Sequence, residues 1–193
     1  MAYLTAKPVY PIFVPSSVSL DVLSSPLHQG RTNACSVFVC ANALLTMQFI
    51  KGQGIGFNPL KLYKELLARK YTTYNPRKSV SVPAVLDLMK KKKLIHKWRE
   101  IQNTPENYKI KLFQGYPVIS VIHTPKRSHA VCVYGYDEEV FSAYDSNRKD
   151  GRLILPPFRN IKKSYIMFLW KIKESLCTCL EPAFCRRIFV VIR

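Results

Sequence analysis

The sequence predicts an α+β fold, with helices gathered in the first half of the chain and antiparallel strands in the second. Three observations carry this. Residues 35 to 50 are almost free of charge, and a helix that is apolar on nearly every face is a buried central one. Further segments between 58 and 115 open on helix-capping residues and carry apolar stripes or basic ends. From Pro117 onward the pattern changes to short runs rich in Val, Ile and Tyr.

The elements follow in order. Residues 1 to 27, rich in Pro and Ser, read as an extended lead-in that docks on the body. The central helix spans Cys35 to Ile50, and Gly52 and Gly54 stop it. Asn58-Pro59 places a capping side chain and a first-turn proline ahead of the stripe Leu62, Tyr63, Leu66, Leu67. A third helix starts near Ser81 and Pro83 and ends in Lys90 to Lys93, where cations suit the helix dipole. Thr104-Pro105-Glu106 opens a fourth, closed at Gln114-Gly115. Strands are expected over Pro117–His123, His129–Tyr136, Val140–Tyr144, Arg152–Leu155 and Tyr165–Ile172, with a hairpin turn at Tyr136 to Glu139. The whole chain, 1–193, is expected to form a single domain. Its helical lobe covers roughly 28–115 and its β-rich lobe roughly 116–172 plus the lead-in. Residues 173–193 form a C-terminal extension in which Leu180, Phe184 and Ile188 to Ile192 surround Arg186 and Arg187. It either closes the body or buries its apolar end in a second copy or a partner, which would give self-association.

Composition narrows the function classes. Thirty Lys and Arg against twelve Asp and Glu give a net charge of +18. Such an excess attracts polyanions, nucleic acid among them, although no nucleic-acid motif is present. No run reaches the apolar length of a membrane span, and the first residues lack the pattern of a signal peptide. With six irregularly spaced cysteines, this places the chain in a reducing, cytoplasmic compartment. Cys40 and Cys132 sit in apolar runs and read as core residues. Cys177, Cys179 and Cys185 lack a fourth ligand nearby, so no metal and no cofactor is expected.

The chemistry concentrates at four positions. Gln29 lies six residues before Cys35, and Cys35 opens the central helix. Much later come Ser128-His129-Ala130-Val131 and Ala143-Tyr144-Asp145-Ser146. A thiolate is a far better nucleophile than a thiol. A helix N-terminus and an imidazolium both favour it. Cys35 is thus the candidate nucleophile, His129 the base, Asp145 its orienter and Gln29 an oxyanion donor. Asn147, on the same strand face as Asp145, is the alternative third residue, and His123 is a rival base. His129 at the start of one strand and Asp145 at the end of the next fall near the same end of an antiparallel pair.

These motifs resemble the papain/cathepsin family of cysteine peptidases, in a compact form without a propeptide. The likeness runs over roughly residues 20 to 172, through Gln29-Gly30 to Cys35, His129-Ala130-Val131, Gly135-Tyr136-Asp137 and Asp150 to Pro156. It implies a two-lobe fold whose cleft takes an extended polypeptide. It further implies backbone-pairing substrate contacts at Ser79, Val80 and Ser81, and a strand-side wall over Thr124 to Ser128. The chain departs from the family in having Asp145 where papain has asparagine, in a shorter gap from Cys35 to His129, and at three further places. Ser36 stands where an aromatic follows the nucleophile, Thr32 stands where a disulfide cysteine would be, and Asn147 stands at the aromatic shield of the third residue. Tyr144, Phe168 and Trp170 are candidate replacements for that shield. The expected activity is hydrolysis of peptide or isopeptide bonds. Two alternatives are a weak or inactive papain-like module that binds nucleic acid or another polyanion, and a transglutaminase-like thiol acyltransferase.

Overall fold

The computed structural model describes residues 13–53, 57–70, 79–123 and 128–170. The expectations for the C-terminal extension, for Cys177, Cys179 and Cys185, and for Thr124 to Arg127 lie outside these residues. The fold is α+β. Its helices are α1 (Cys35–Ile50), α2 (Pro59–Lys70), α3 (Val82–Lys91) and α4 (Pro105–Phe113). Its strands are β1 (Ser17–Ser19), β2 (Lys97–Ile101), β3 (Val118–His123), β4 (Ser128–Asp137), β5 (Val140–Tyr144), β6 (Arg152–Ile154) and β7 (Ile161–Phe168). They form one antiparallel sheet in the order β2-β7-β3-β4-β5-β6, with β1 paired to β4.

The helix boundaries arise from local chemistry. Ser81 Oγ accepts from Ala84 N–H at the start of α3, and Thr104 Oγ1 accepts from Asn107 N–H at the start of α4. Asn58 Oδ1 accepts from Lys61 N–H ahead of α2. Gly52, at φ 63°, takes the left-handed conformation that closes α1. Residues 36 to 47 of α1 are all buried, which explains the near absence of charge in this segment.

Two strands lack the signal that sequence reading relies on. β2, Lys97-Trp98-Arg99-Glu100-Ile101, is an edge strand whose charges suit an exposed rim and hide its pairing with β7. β1 is only three residues long and extends the edge of β4 beyond the point where β3 ends. There the chains approach so closely that a Cβ on Gly135 would lie 2.7 Å from the Val18 carbonyl oxygen. β7 was expected over Tyr165–Ile172 and instead spans Ile161–Phe168. Its start at Lys162 and Lys163 is exposed and charged, so apolar content alone placed it too late.

The sheet has a core on each face. On one side α1, α2 and α3 pack against Ile119, Cys132, Tyr134, Tyr144, Tyr165 and Met167. On the other, Tyr108 and Leu112 of α4 pack with Val118, Val131, Val133, Phe141 and Ile166. So α4, grouped with the helical half in the sequence reading, packs on the far face of the sheet. Tyr108 anchors it there by hydrogen bonds to the buried hydroxyls of Ser120 and Ser164. Among the described residues no helix is long and apolar enough to cross a membrane.

Candidate active site

The site forms where the N-terminus of α1 meets the sheet. Ala34, the residue before α1, offers no side-chain cap, so the amide groups of the first turn keep their positive potential for another acceptor. The Cys35 sulfur fills that place. It accepts hydrogen bonds from the backbone N–H groups of Ser36 and Ala130 and is paired with the His129 side chain.

β4 delivers His129. Its pairing with β5, in which Cys132 faces Tyr144, brings the beginning of β4 beside the end of β5. His129 Nε2 and Asp145 Oδ1 are 2.7 Å apart, and both residues are buried. That contact leaves Nδ1 for the thiol. Asp145 is held in turn, because its Oδ1 accepts from Asn147 N–H at 2.9 Å. Its own backbone N–H donates to the Gly151 carbonyl at 2.9 Å.

The electrostatics follow from this chain of contacts. Burial alone would push the Cys35 thiol up, but His129 and the two backbone donors outweigh it and hold the thiol below its usual value. Burial alone would lower His129, but hydrogen bonds to Asp145 and Cys35 and their negative charge raise it to about 9. Burial opposes ionisation of Asp145 as well, yet the bonds from His129 and Asn147 keep its carboxyl below the ordinary range. Both shifts run in the direction that moves the proton from sulfur toward imidazole. Cys40 and Cys132 show the contrast: wholly buried, with no such partners, both thiols are pushed far up by desolvation.

Gln29 is buried beside this group and held at both ends of its carboxamide. Oε1 accepts from Ser146 Oγ at 2.8 Å, and Nε2 donates to the Thr32 carbonyl at 2.7 Å. Thr32 Oγ1 donates back to the Gln29 carbonyl at 2.7 Å. A reciprocal pair of hydrogen bonds thus fixes the loop at the position where the family's disulfide cysteine would be. One amide hydrogen of Gln29 is used in this way and the second remains for a ligand.

Ser146 is a site residue that sequence reasoning missed. It follows Asp145 directly, is buried, and grips Gln29 through its hydroxyl and through its carbonyl, which accepts Gln29 N–H at 2.9 Å. One short segment therefore holds both the His129 imidazole and the Gln29 carboxamide. The Asp-Ser dipeptide after an apolar strand was the available signal. Ser146→Ala is expected to lower the rate constant of any acyl transfer at Cys35 roughly tenfold with little change in KM, by loosening Gln29. Steady-state kinetics of the variant check this, and a change confined to KM would refute the positioning role.

The other candidates fall at varied distances from the chemistry. Asn147 is exposed, and it is its backbone that serves Asp145. His123 and His28 are exposed, and His28 accepts from Gly30 N–H. Ser36 Oγ donates to the Val80 carbonyl at 2.7 Å, which ties the segment Ser79–Ser81 one residue from the nucleophile. Val80 is buried, whereas Ser79 and Ser81 are exposed and Ser81 caps α3. Ser128 is exposed beside His129 and accepts from Lys162 Nζ at 3.2 Å. None of the three proposed aromatic shields has its contacts at the His129–Asp145 pair. Tyr144 stacks on Tyr134 and donates to Asp21, Phe168 packs on Tyr116, and Trp170 packs on His96. The β7 residue nearest His129 is Ile161, which faces its neighbour Ile122, and Phe168 lies about 23 Å further along the strand. Among the described residues no cluster of His, Cys, Asp or Glu has the makings of a metal site.

No protein-family model matches the chain, and no curated protein sequence matches it significantly. Solved structures do. Xylellain, a cysteine protease from Xylella fastidiosa, superposes with a TM-score of 0.65 at 15% identity, over 82% of this chain and 88% of that one. Digestive procathepsin L 3 from the Tenebrio molitor larval midgut gives 0.63 at 12% identity, over 88% and 73%. The bromelain protease of Ananas comosus gives 0.63 at 12%, over 81% and 100%. The chain has the papain-like fold. At this identity the likeness speaks for architecture, and the chemistry rests on the residues themselves. In papain-like terms, the α1–α3 side supplies the thiol and the carboxamide, and the sheet supplies the imidazole and its carboxylate.

Proposed function

We propose that this protein is a cysteine peptidase that cleaves peptide or isopeptide bonds through Cys35, His129 and Asp145, with Gln29 as oxyanion donor. The observation that carries this reading is geometric: the half-buried Cys35 at the start of α1 is paired with the His129 side chain, whose Nε2 lies 2.7 Å from Asp145 Oδ1. The papain-like fold of the neighbouring cysteine proteases supports it.

The steps follow from the geometry. The Cys35 thiolate attacks the substrate carbonyl carbon, and negative charge develops on the carbonyl oxygen. The Cys35 N–H and the second amide hydrogen of Gln29 donate to that oxygen. The imidazolium of His129 passes its proton to the leaving nitrogen, the C–N bond breaks, and a thioester to Cys35 remains. The imidazole, now neutral, takes a proton from water, whose oxygen attacks the thioester. Collapse releases the carboxylic acid and restores the thiolate. Asp145 holds the imidazole's orientation and stabilises its charged form throughout. An extended substrate would pair with Ser79 to Ser81 and meet Ser128 on the other side; the exposure of Ser79, Ser81 and Ser128 and the tie from Ser36 to Val80 support this.

The test is alkylation of the folded protein by iodoacetamide or an epoxysuccinyl probe across pH, with the adduct located by mass spectrometry. Cys35 is expected to label rapidly at mildly acidic pH, well before Cys40 or Cys132. Labelling of Cys35 only at alkaline pH would sink the reading and leave the basic surface as the working part of the protein. Product analysis with an added amine then separates hydrolysis from transglutaminase-like transfer, since transfer gives an amide in place of the free acid.

A further inference from the structure

A second site lies at the far end of the molecule. A cavity of about 470 Å³ is lined by Lys51, His96, Lys97, Tyr116, Phe168 and Trp170, together with Leu169. It sits where α1 ends, and α1 begins at Cys35 with 16 residues between its ends, so the cavity is about 24 Å from the thiol. β7 gives the same answer, since Phe168 is at the opposite end of that strand from Ile161.

Lys51 and Lys97 of the lining are joined by Arg99 and Lys111 just outside it, beside an exposed aromatic surface. Lys97 and Arg99, two apart on β2 and so on one face, stand over the Phe168 ring at 5.1 and 5.4 Å from its centroid. Tyr116 packs against the same ring at 5.2 Å. Burial lowers the proton affinity of Lys111, and repulsion from the nearby Arg99 charge lowers it further. Among the described residues, none of Lys51, Lys97, Arg99 and Lys111 makes an ion pair with a carboxylate. Trp170 is held by His96 at 4.5 Å, yet 49% of it is exposed. Unpaired cations held close together leave repulsion that an anion would relieve. An indole exposed beside them offers a face to a flat, polarisable partner.

We propose that this cavity binds single-stranded nucleic acid, with a base stacked on Trp170 and the adjoining phosphates on Lys51 and Lys97 of the lining and on Arg99 and Lys111 beside it. Stacking on an aromatic ring with cations tracking the backbone is the chemistry by which single strands are held. Bases within a duplex are already stacked on one another, and the indole in its concavity does not reach them. Occupancy here leaves the thiol site open, so the strand acts as a tether. The net charge of +18 adds long-range attraction without defining a site.

The test uses the full chain and fluorescein-labelled oligonucleotides of twelve nucleotides, as single-stranded DNA, single-stranded RNA and duplex DNA, read by anisotropy at several salt concentrations. Either single strand is expected to bind more tightly than the duplex. Trp170→Ala should weaken binding by about fivefold to about a hundredfold, the range of one stacked base, and Trp170→Phe should retain most of the affinity. Lys97→Ala with Arg99→Ala should reduce the slope of log K against log salt by about 1.4. Lys61→Ala with Lys64→Ala, on the exposed side of α2, should change the affinity much less. Should Trp170→Ala fail to fold, tryptophan fluorescence decides. Quenching by the strand should persist in Trp98→Phe and vanish in Trp170→Phe. Equal loss from the two lysine and arginine pairs, preference for the duplex, or quenching that survives in Trp170→Phe would each overturn the proposal.

Discussion

Alanine at position 129 is expected to lower kcat/KM for peptide hydrolysis by about two to four orders of magnitude, the span that general acid–base groups supply. Two losses combine. The leaving nitrogen no longer receives a proton, and the thiol loses the partner that holds its proton affinity down. Burial then acts unopposed by the imidazole, so the acid limb of Cys35 alkylation moves toward alkaline pH. In the unmodified protein the two assays should diverge at high pH. Hydrolysis rises as pH passes the lowered thiol value, because the nucleophile forms. It falls as pH passes about 9, because the imidazolium that protonates the leaving group is lost. Alkylation needs only the thiolate and should not fall there. Rates of both reactions from pH 4 to 10.5 provide the check. Hydrolysis that keeps climbing past pH 9.5 would mean that another group delivers the proton.

The largest stability effect is expected at Leu44. This residue is wholly buried at the middle of α1, within the core between the helices and the sheet. Leu44→Ala removes three carbons from a place where neighbours on every side are fixed by packing, so the gap closes only in part. The cost of such a change is about 2–5 kcal/mol. A domain with about 5–15 kcal/mol in total feels this as a fall in melting temperature of several degrees to about 20 °C. A control at Lys90, exposed at the end of α3, should stay within about 0.5 kcal/mol. Chemical denaturation of the three proteins measures the differences. A loss at Leu44 below about 1 kcal/mol would show that α1 is not the packed centre of the fold.

How legible the molecule was depended on the range of the interactions involved. All four helices were readable because their signals are local. An apolar run ends at Gly52, Ser81 and Thr104 cap the helices they precede, and a lysine cluster closes α3. β2 and β1 were not readable. One is a charged edge strand and the other a three-residue segment, and both are strands only through their partners. The placement of α4 on the far side of the sheet was hidden for a similar reason, since Tyr108 finds Ser120 and Ser164 across the chain.

The same division holds at the site. Cys35, His129, Asp145 and Gln29 could be named as candidates from residue type and spacing, because the proposed nucleophile, base, orienter and oxyanion donor each call for particular side chains, and the fold brings Cys35, His129 and Asp145 together. Their working state could not. The proton affinities of Cys35 and His129 are set by burial and by neighbours 94 positions apart in sequence. Ser146 matters only because the fold lays it against Gln29, 117 residues earlier. The aromatic shield expected from Phe168 or Trp170 fails for a geometric reason: β7 runs away from the site to Phe168, and its far end, with Trp170 just beyond it, instead closes a basic cavity. Sequence by itself determined which chemical groups the protein owns and where its helices begin and end, since caps, turns and periodicity act within a few residues. Tertiary structure alone decided which of those groups meet, how their protons are shared and which aromatic faces stay open, since these depend on desolvation and on contacts between segments far apart in the chain.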